Sequence, residues 1–304
     1  MLLMVLDLLF PVRCAGCSAR GAAWCRGCAG SLGGGVFRVE RSALVGGPPV
    51  FAVGAYAGPA RRLVLAYKER GRRELAGPIG LVLAEAVPKA LARAGVAMPA
   101  RDGPADAGVG GSVGKVPTGA GLSGPAGKAL TLLAGSGPAG PAQTVLARAG
   151  TALRAAGAAK PALGRGGGDK LSVPRLGSGV APGRVCWLVP APSRGADLRR
   201  RGGNHVQLAV ERAAGVLRGD GWVVGVAPML RLRGGRDSVG LGRVARRANL
   251  AGRVWVRGGV PPRGDPVVLV DDVVTTGATV AACVGALAGA GVRVSAALAL
   301  TATV

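Results

Sequence analysis

The stretch Val267 to Thr279 constrains this chain more than any other. Val267 to Val270 is an uninterrupted aliphatic run, which predicts a strand buried on both faces, because a half-exposed strand would alternate apolar with polar residues. Two carboxylates, Asp271 and Asp272, follow it at once. Open α/β sheets bind ligands at the carboxyl ends of their strands, and adjacent acids there repel each other unless hydroxyls or a cation neutralise them. A ligand rich in hydroxyls fits. The next residues, Thr275, Thr276, Gly277, Ala278 and Thr279, are small and mostly hydroxylated, and they lead into a helical pattern from Val280 to Leu287. Such a turn aims backbone N–H groups, hydroxyls and the positive end of a helix at one point, which is an anion site. Hydroxyl and anion recognition together predict a sugar phosphate. The alternative is a buried strand whose Asp pair caps the following helix.

Near the start of the chain, Cys14-Ala-Gly-Cys17 and Cys25-Arg-Gly-Cys28 form two C-x-x-C knuckles. At this spacing four thiolates converge on one tetrahedral Zn²⁺, and the Gly preceding the second Cys of each pair permits the tight turn. Disulfides are the competing reading. With no export signal expected, the knuckles point to a reducing compartment and a structural zinc, and Cys186 and Cys283 are expected as small buried hydrophobes in a strand and a helix. The apolar residues Met1 to Phe10 predict a short amphipathic helix packed on the protein; ten residues fall short of the roughly 20 that a bilayer needs. A peripheral membrane anchor is the alternative.

The rest reads as alternating strands and helices. Val50 to Tyr56 predicts a strand, and Gly58-Pro59 opens a helix whose Leu63, Val64 and Tyr67 share one face while Arg61, Arg62 and Lys68 take the other. Lys68 and Arg72 are expected on a solvated basic face, with a phosphate contact as the alternative. A second helix is predicted from Glu74 to about Leu91. Between about 97 and 182 the sequence is Gly, Ala, Pro and Ser with scattered basic residues, which predicts a disordered insertion. Its Gly114-Lys115 and Gly127-Lys128 pairs are not P-loops, since Val109 and Leu122 stand where a Gly is needed. Val185 to Val189 predicts a second buried strand, and the helix and the Trp222 to Ala227 strand after it complete a β-α-β unit. Net charge is +24, and half of it falls between Arg184 and Arg263, where 16 basic residues meet 4 acids. That excess selects polyanionic partners and says little about fold. Leu232 to Leu250 is rich in Gly and Arg and is expected as a mobile arginine-bearing loop or short helix able to close on a polyanion, with a solvated basic helix or nucleic-acid patch as the alternative.

Val270-Asp271-Asp272-Val-Val-Thr275-Thr276-Gly277-Ala278-Thr279 resembles the phosphoribosyl pyrophosphate (PRPP) signature of type I phosphoribosyltransferases. Further motifs narrow the resemblance to the ComF family: Phe10-Pro11, the paired knuckles, Tyr56 to Lys68, Val189-Pro190-Ala-Pro192-Ser193, Arg200 to Asn204, and Arg247-Ala248-Asn249-Leu250. The resemblance implies an α/β, type I phosphoribosyltransferase-like fold with a central, mainly parallel sheet, plus a small N-terminal four-cysteine, zinc-ribbon-like module. It implies that Asp271 and Asp272 hold the ribose hydroxyls, that Thr275 to Thr279 wrap the 5′-phosphate, and that Ser193 and Arg194 lie in the pyrophosphate loop. The organisation that follows is a zinc module over 1–32, the first part of the catalytic-type domain over 33–96, the insertion over 97–182, and the core with the PRPP motif over 183–304.

Two departures limit what is carried over. Relatives have an aromatic residue and a Gln where this chain has Gly203 and His205, and His205 is expected as a surface residue at a helix start, not a catalytic base. Some relatives of the signature carry an acidic base at the position of Thr275, which a threonine cannot replace. Two readings therefore stay open. One is a cytoplasmic, Mg²⁺-dependent phosphoribosyltransferase that takes PRPP. The other is a non-catalytic PRPP-sensing or single-stranded-DNA-handling protein that works with competence machinery in DNA uptake. Neither expects a transmembrane segment.

Overall fold

The computed structural model describes residues 12–33, 35–96, 186–193, 198, 203–233 and 252–304. In chain order the elements are α1 (Arg26–Ala29), β1 (Phe37–Arg38), β2 (Val50–Ala55), α2 (Gly58–Lys68), α3 (Ala76–Arg93), β3 (Cys186–Pro190), α4 (His205–Gly219), β4 (Val224–Val226), β5 (Leu230–Leu232), β6 (Val254–Val256), β7 (Val267–Val274), α5 (Ala278–Gly289) and β8 (Ala296–Ala302). Six strands form one sheet in the order β1-β2-β8-β7-β3-β4, parallel throughout except for β1, which runs antiparallel at the edge. β5 and β6 form a separate antiparallel ribbon. The chain is thus a mixed α/β protein with a mostly parallel central sheet and a four-cysteine cluster at its N-terminal side.

Helices cover the sheet on both faces, which is why its strands are apolar without alternation. Successive strand residues point to opposite faces. Phe51, Leu188, Val268, Val270 and Leu298 pack toward α2, α3 and α4, while Val50, Trp187, Val189, Val267 and Leu269 pack toward α5 and the ribbon. Cys186 and Cys283 are fully buried in these two layers, as expected of small apolar residues. Helix α3 repeats its apolar residues at helical spacing: Ile79, Val82, Leu83, Ala86, Val87, Ala90 and Leu91 are all buried. Gly80 lets α4 approach, because a Cβ there would stand 2.5 Å from the Arg212 Cβ. The segment Arg73–Arg93 is long and apolar enough to cross a membrane, but 61% of that window is buried within the protein, where α3 packs on α4 and β8.

Several boundaries differ from expectation. β7 does not stop before the acids; it continues through Asp271 and Asp272 to Val274, because β8 keeps pairing with it at Asp271–Ala299, Val273–Thr301 and Val274–Ala302. β4 is confined to Val224–Val226. The Gly- and Arg-rich stretch opens on a strand, since Leu230–Leu232 pairs with Val254–Val256; residues 234–251 lie outside the described residues. So do Met1 to Phe10, the insertion 97–182, Arg194 and Arg199 to Arg201.

Candidate binding site and metal centre

The four knuckle cysteines come together. The Sγ atoms of Cys14, Cys17, Cys25 and Cys28 all lie within 4.8 Å of one another, and Cys17 and Cys25 are 3.6 Å apart. Four thiolates at a Zn–S length of about 2.3 Å would stand about 3.8 Å from each other, so the cluster can hold a metal ion such as zinc. Backbone N–H groups of Gly16 and Cys25 each donate to Cys14 Sγ at 3.3 Å. Burial alone would raise the Cys14 thiol, but these hydrogen bonds outweigh it and bring it down to about 6. Gly16 has no room for a side chain, since a Cβ would meet Cys28 Sγ at 2.7 Å. The cluster is attached to the core by an Arg62 Nε hydrogen bond to the Gly16 carbonyl and by Leu32, which is buried against Gly54 of β2.

The two acids sit in the carboxyl-terminal half of β7, the central strand, and the alternation of a strand sends them to opposite faces. Asp271 is buried on the α5 side, where its Oδ1 accepts the Asp272 backbone N–H at 2.8 Å. Burial and the neighbouring Asp272 charge push its carboxyl up to about 7, against a smaller pull from Lys68. Burial and the Asp271 charge also push the Cys283 thiol up. Asp272 is buried on the α2/α4 side. Its Oδ2 receives both Lys68 Nζ at 2.9 Å and His205 Nε2 at 2.7 Å. Burial would raise Asp272 as well, but the Lys68 ammonium and the His205 hydrogen bond hold it well below the usual carboxylate range. Conversely, burial would lower Lys68, and the Asp272 charge raises it above the usual lysine range.

These contacts overturn two expectations. Lys68 does not belong to a solvated face; as the last residue of α2 it turns onto Asp272. His205 does begin a helix, but it is only 9% exposed, because the same carboxylate draws it inward. Tyr67 Oη donates to the His205 carbonyl at 2.6 Å, and the two rings meet edge to face. Arg72 pairs with Glu74 at 2.7 Å. Ser193 Oγ donates to Asn204 Oδ1 at 3.0 Å, and the same Asn204 oxygen caps α4 by accepting the Val206 N–H. Asn204 Nδ2 reaches the Ala191 carbonyl, so the Ser193 loop is joined to the start of α4.

Thr275 to Gly277 form the turn from β7 into α5, and Ala278 and Thr279 are the first residues of that helix. Neither Asp caps the helix; the N-cap is Gly277, with φ +79°, a left-handed conformation natural to glycine. A Cβ there would lie 2.7 Å from Leu44, which packs over the turn. Arg41 braces it, donating through Nε to the Thr275 carbonyl at 2.9 Å and through its other nitrogens to the carbonyls of Glu40 and Thr303. Thr303 Oγ1 donates to the same Thr275 carbonyl at 3.3 Å, and Thr276 Oγ1 accepts the Ala278 N–H at 3.4 Å. Arg41 and Leu44 carry no sequence signal for this role, because they lie more than two hundred residues from the turn they hold.

A cleft of about 250 Å³ opens between the loop after α2 and the start of α4, lined by Tyr67, Arg73, Asn204, His205, Gln207 and Glu211. His205 joins the cleft to Asp272. Compared with known proteins, the chain matches no family model and no curated protein. The residues themselves must therefore carry the functional reading.

Proposed function

We propose that this chain is a ComF-type, type I phosphoribosyltransferase-like protein that binds PRPP or a related ribose 5-phosphate at the end of β7. The observation that carries this reading is the acid pair in the carboxyl-terminal half of the central parallel strand, with a hydroxyl-rich turn into the N-terminus of α5 just beyond the strand's last two residues. A ligand crevice at the strand ends, backbone N–H groups at a helix start, and carboxylates suited to sugar hydroxyls together match a phosphorylated sugar. Mg²⁺ would enter as counterion of the ligand's diphosphate, since the protein offers a carboxylate pair rather than a cage, and Asp272 already has Lys68 and His205. The four cysteines would hold a structural Zn²⁺, with all four positions taken by thiolates.

In the transferase reading, ribose C1 passes to a nitrogen acceptor while pyrophosphate leaves. The residues present would grip the 5′-phosphate at Thr275 to Thr279 and the sugar hydroxyls near Asp271 and Asp272, and Ser193 would edge the diphosphate. A second reading, a PRPP-responsive partner without turnover, is favoured by two observations: Asp272 is already satisfied by two protein groups, and Thr275 provides no base.

Calorimetry with Mg²⁺·PRPP tests the binding claim. Wild type is expected to bind, and Asp271→Asn with Asp272→Asn to lose at least tenfold in affinity; equal affinity of wild type and double variant would refute the assignment. Pyrophosphate release with a panel of nitrogen acceptors then separates the transferase from the sensor.

A further inference from the structure

The side chain of Asp272 is gripped by one oxygen only. Lys68 Nζ at 2.9 Å and His205 Nε2 at 2.7 Å both meet Oδ2, and no described residue bonds Oδ1. Among the described residues the buried side-chain polar atoms without a partner are Trp24 Nε1 and His205 Nδ1. Asp272 Oδ1 is not one of them, so that oxygen keeps surface open to solvent although the residue as a whole is only 9% exposed. Burial would raise the carboxyl, but the Lys68 ammonium and the His205 hydrogen bond keep it ionised, so Oδ1 can only accept. An open acceptor on an anion calls for a donor such as a hydroxyl and repels a phosphate oxygen.

The terminal torsion of an aspartate is broad and roughly two-fold, so an unheld carboxylate exchanges its two oxygens and tilts its plane. Two donors converging on Oδ2 remove that freedom. They stand on helix ends that are themselves tied together: Lys68 is the last residue of α2, His205 is the first of α4, and Tyr67 Oη donates to the His205 carbonyl at 2.6 Å. Asn204 caps α4 at the Val206 N–H and reaches the Ala191 carbonyl, which fixes the start of α4 to the end of β3. The backbone of Asp272 is held as well, by its N–H to Asp271 Oδ1 at 2.8 Å and by Thr301 Oγ1, which donates to its carbonyl at 3.3 Å. We infer that Lys68 and His205 are positioning residues for sugar recognition: by clamping Oδ2 they aim Oδ1 at one hydroxyl of the ligand and so set a preference for a ribose phosphate over its deoxy forms. The inference rests on the ribose phosphate reading and adds to it the two residues that give the site its selectivity, acting through Asp272 and not on the sugar.

The test uses full-length protein and ribose 5-phosphate, which carries the sugar hydroxyls and the 5′-phosphate without a diphosphate that would draw Lys68 away. Its affinity is compared by calorimetry with those of 2-deoxyribose 5-phosphate and 3-deoxyribose 5-phosphate, and the larger of the two ratios is read. Wild type is expected to favour ribose 5-phosphate at least about tenfold, the size of one hydrogen bond to a charged group. Lys68→Met and His205→Leu are each expected to bring that ratio to about threefold or less. A purely structural role would weaken all three sugars together and leave the ratio alone. Should Lys68→Met not fold, His205→Leu reads the same ratio. In an Asp272→Asn background, Lys68→Met should change the ratio by less than about twofold, since the clamp then has no anion to aim; a larger change would mean that Lys68 meets the sugar directly and overturns the inference. An unchanged ratio in either folded single variant also overturns it, as does a wild type that binds all three sugars equally. A wild type that binds neither ribose 5-phosphate nor Mg²⁺·PRPP overturns the ribose phosphate reading itself.

Discussion

Replacing Lys68 by Met leaves the Asp272 carboxylate buried with one partner instead of two. Breaking a buried ion pair costs about 3–5 kcal/mol, whereas an exposed pair is worth about 0–1 kcal/mol. Here Asp272 is 10% exposed, but the Lys68 side chain keeps 34% of its surface in solvent, and His205 remains to hold Oδ2. An intermediate loss of about 2 kcal/mol follows, or about 4–8 °C in Tm for a chain of this size. Its pH dependence is set by the signs of the shifts. The Asp272 carboxyl is depressed in the folded protein, so its contribution is present above the ordinary carboxylate range and is lost as pH falls through the folded value. Lys68 is raised, so its contribution is present below the ordinary lysine range and is lost as pH rises through the folded value. The gap between wild type and Lys68→Met should therefore be full near neutrality and narrow on acidification, as the variant's Asp272 takes up a proton first. Urea denaturation across the acidic range measures this. A variant as stable as wild type at neutral pH, or a gap that widens as pH falls, would show that the Lys68–Asp272 contact is not the interaction described. Adding Asp272→Asn to Lys68→Met should recover part of the loss, since replacing both partners removes the stranded charge.

Gly277→Ala should destabilise the fold by about 2–3 kcal/mol, from the left-handed backbone and the contact with Leu44, and should weaken PRPP binding in calorimetry. Combining it with Leu44→Ala should relieve the contact but not the backbone cost, so only partial recovery in denaturation is expected. Purified protein kept reducing and metal-replete should contain one equivalent of zinc by elemental analysis, and Cys17→Ser should abolish it; well below one equivalent in wild type refutes the metal centre. Chelation should lower Tm by several degrees, because Gly16 and Leu32 connect the cluster to the core.

Elements whose physics is local were legible in the sequence. The aliphatic run of β7, the apolar spacing of α3 and the paired knuckles each carry their own periodicity, and each forms where that periodicity places it. The opposed faces of Asp271 and Asp272 follow once Val273 and Val274 extend the strand, because a two-residue period then separates adjacent acids. What was not legible is partnership across the chain. Lys68 and His205 reach Asp272 from far off in sequence, His205 from 67 residues away, and a lysine at a helix end or a histidine at a helix start looks solvated until the sheet brings a buried carboxylate beside it.

Helix α2 gives these long-range contacts a common frame. At its first turn Pro59 lies beside Gly16 of the cysteine cluster, and Arg62 holds the Gly16 carbonyl. At its last turn Tyr67 grips the start of α4 and Lys68 pairs with Asp272. Its eleven residues make a rod of about 16 Å, stiff over that length and buried along Leu63, Val64 and Tyr67. The cluster and the acid site are thus fixed to the two ends of one element. A sheet alone would place Asp272 at a strand end but would leave its charge unmatched; α2 supplies the match, and the cysteine cluster is one of the anchors that set where α2 lies. The N-terminal module therefore has a physical reason to accompany this site: it positions the helix whose far end neutralises the carboxylate.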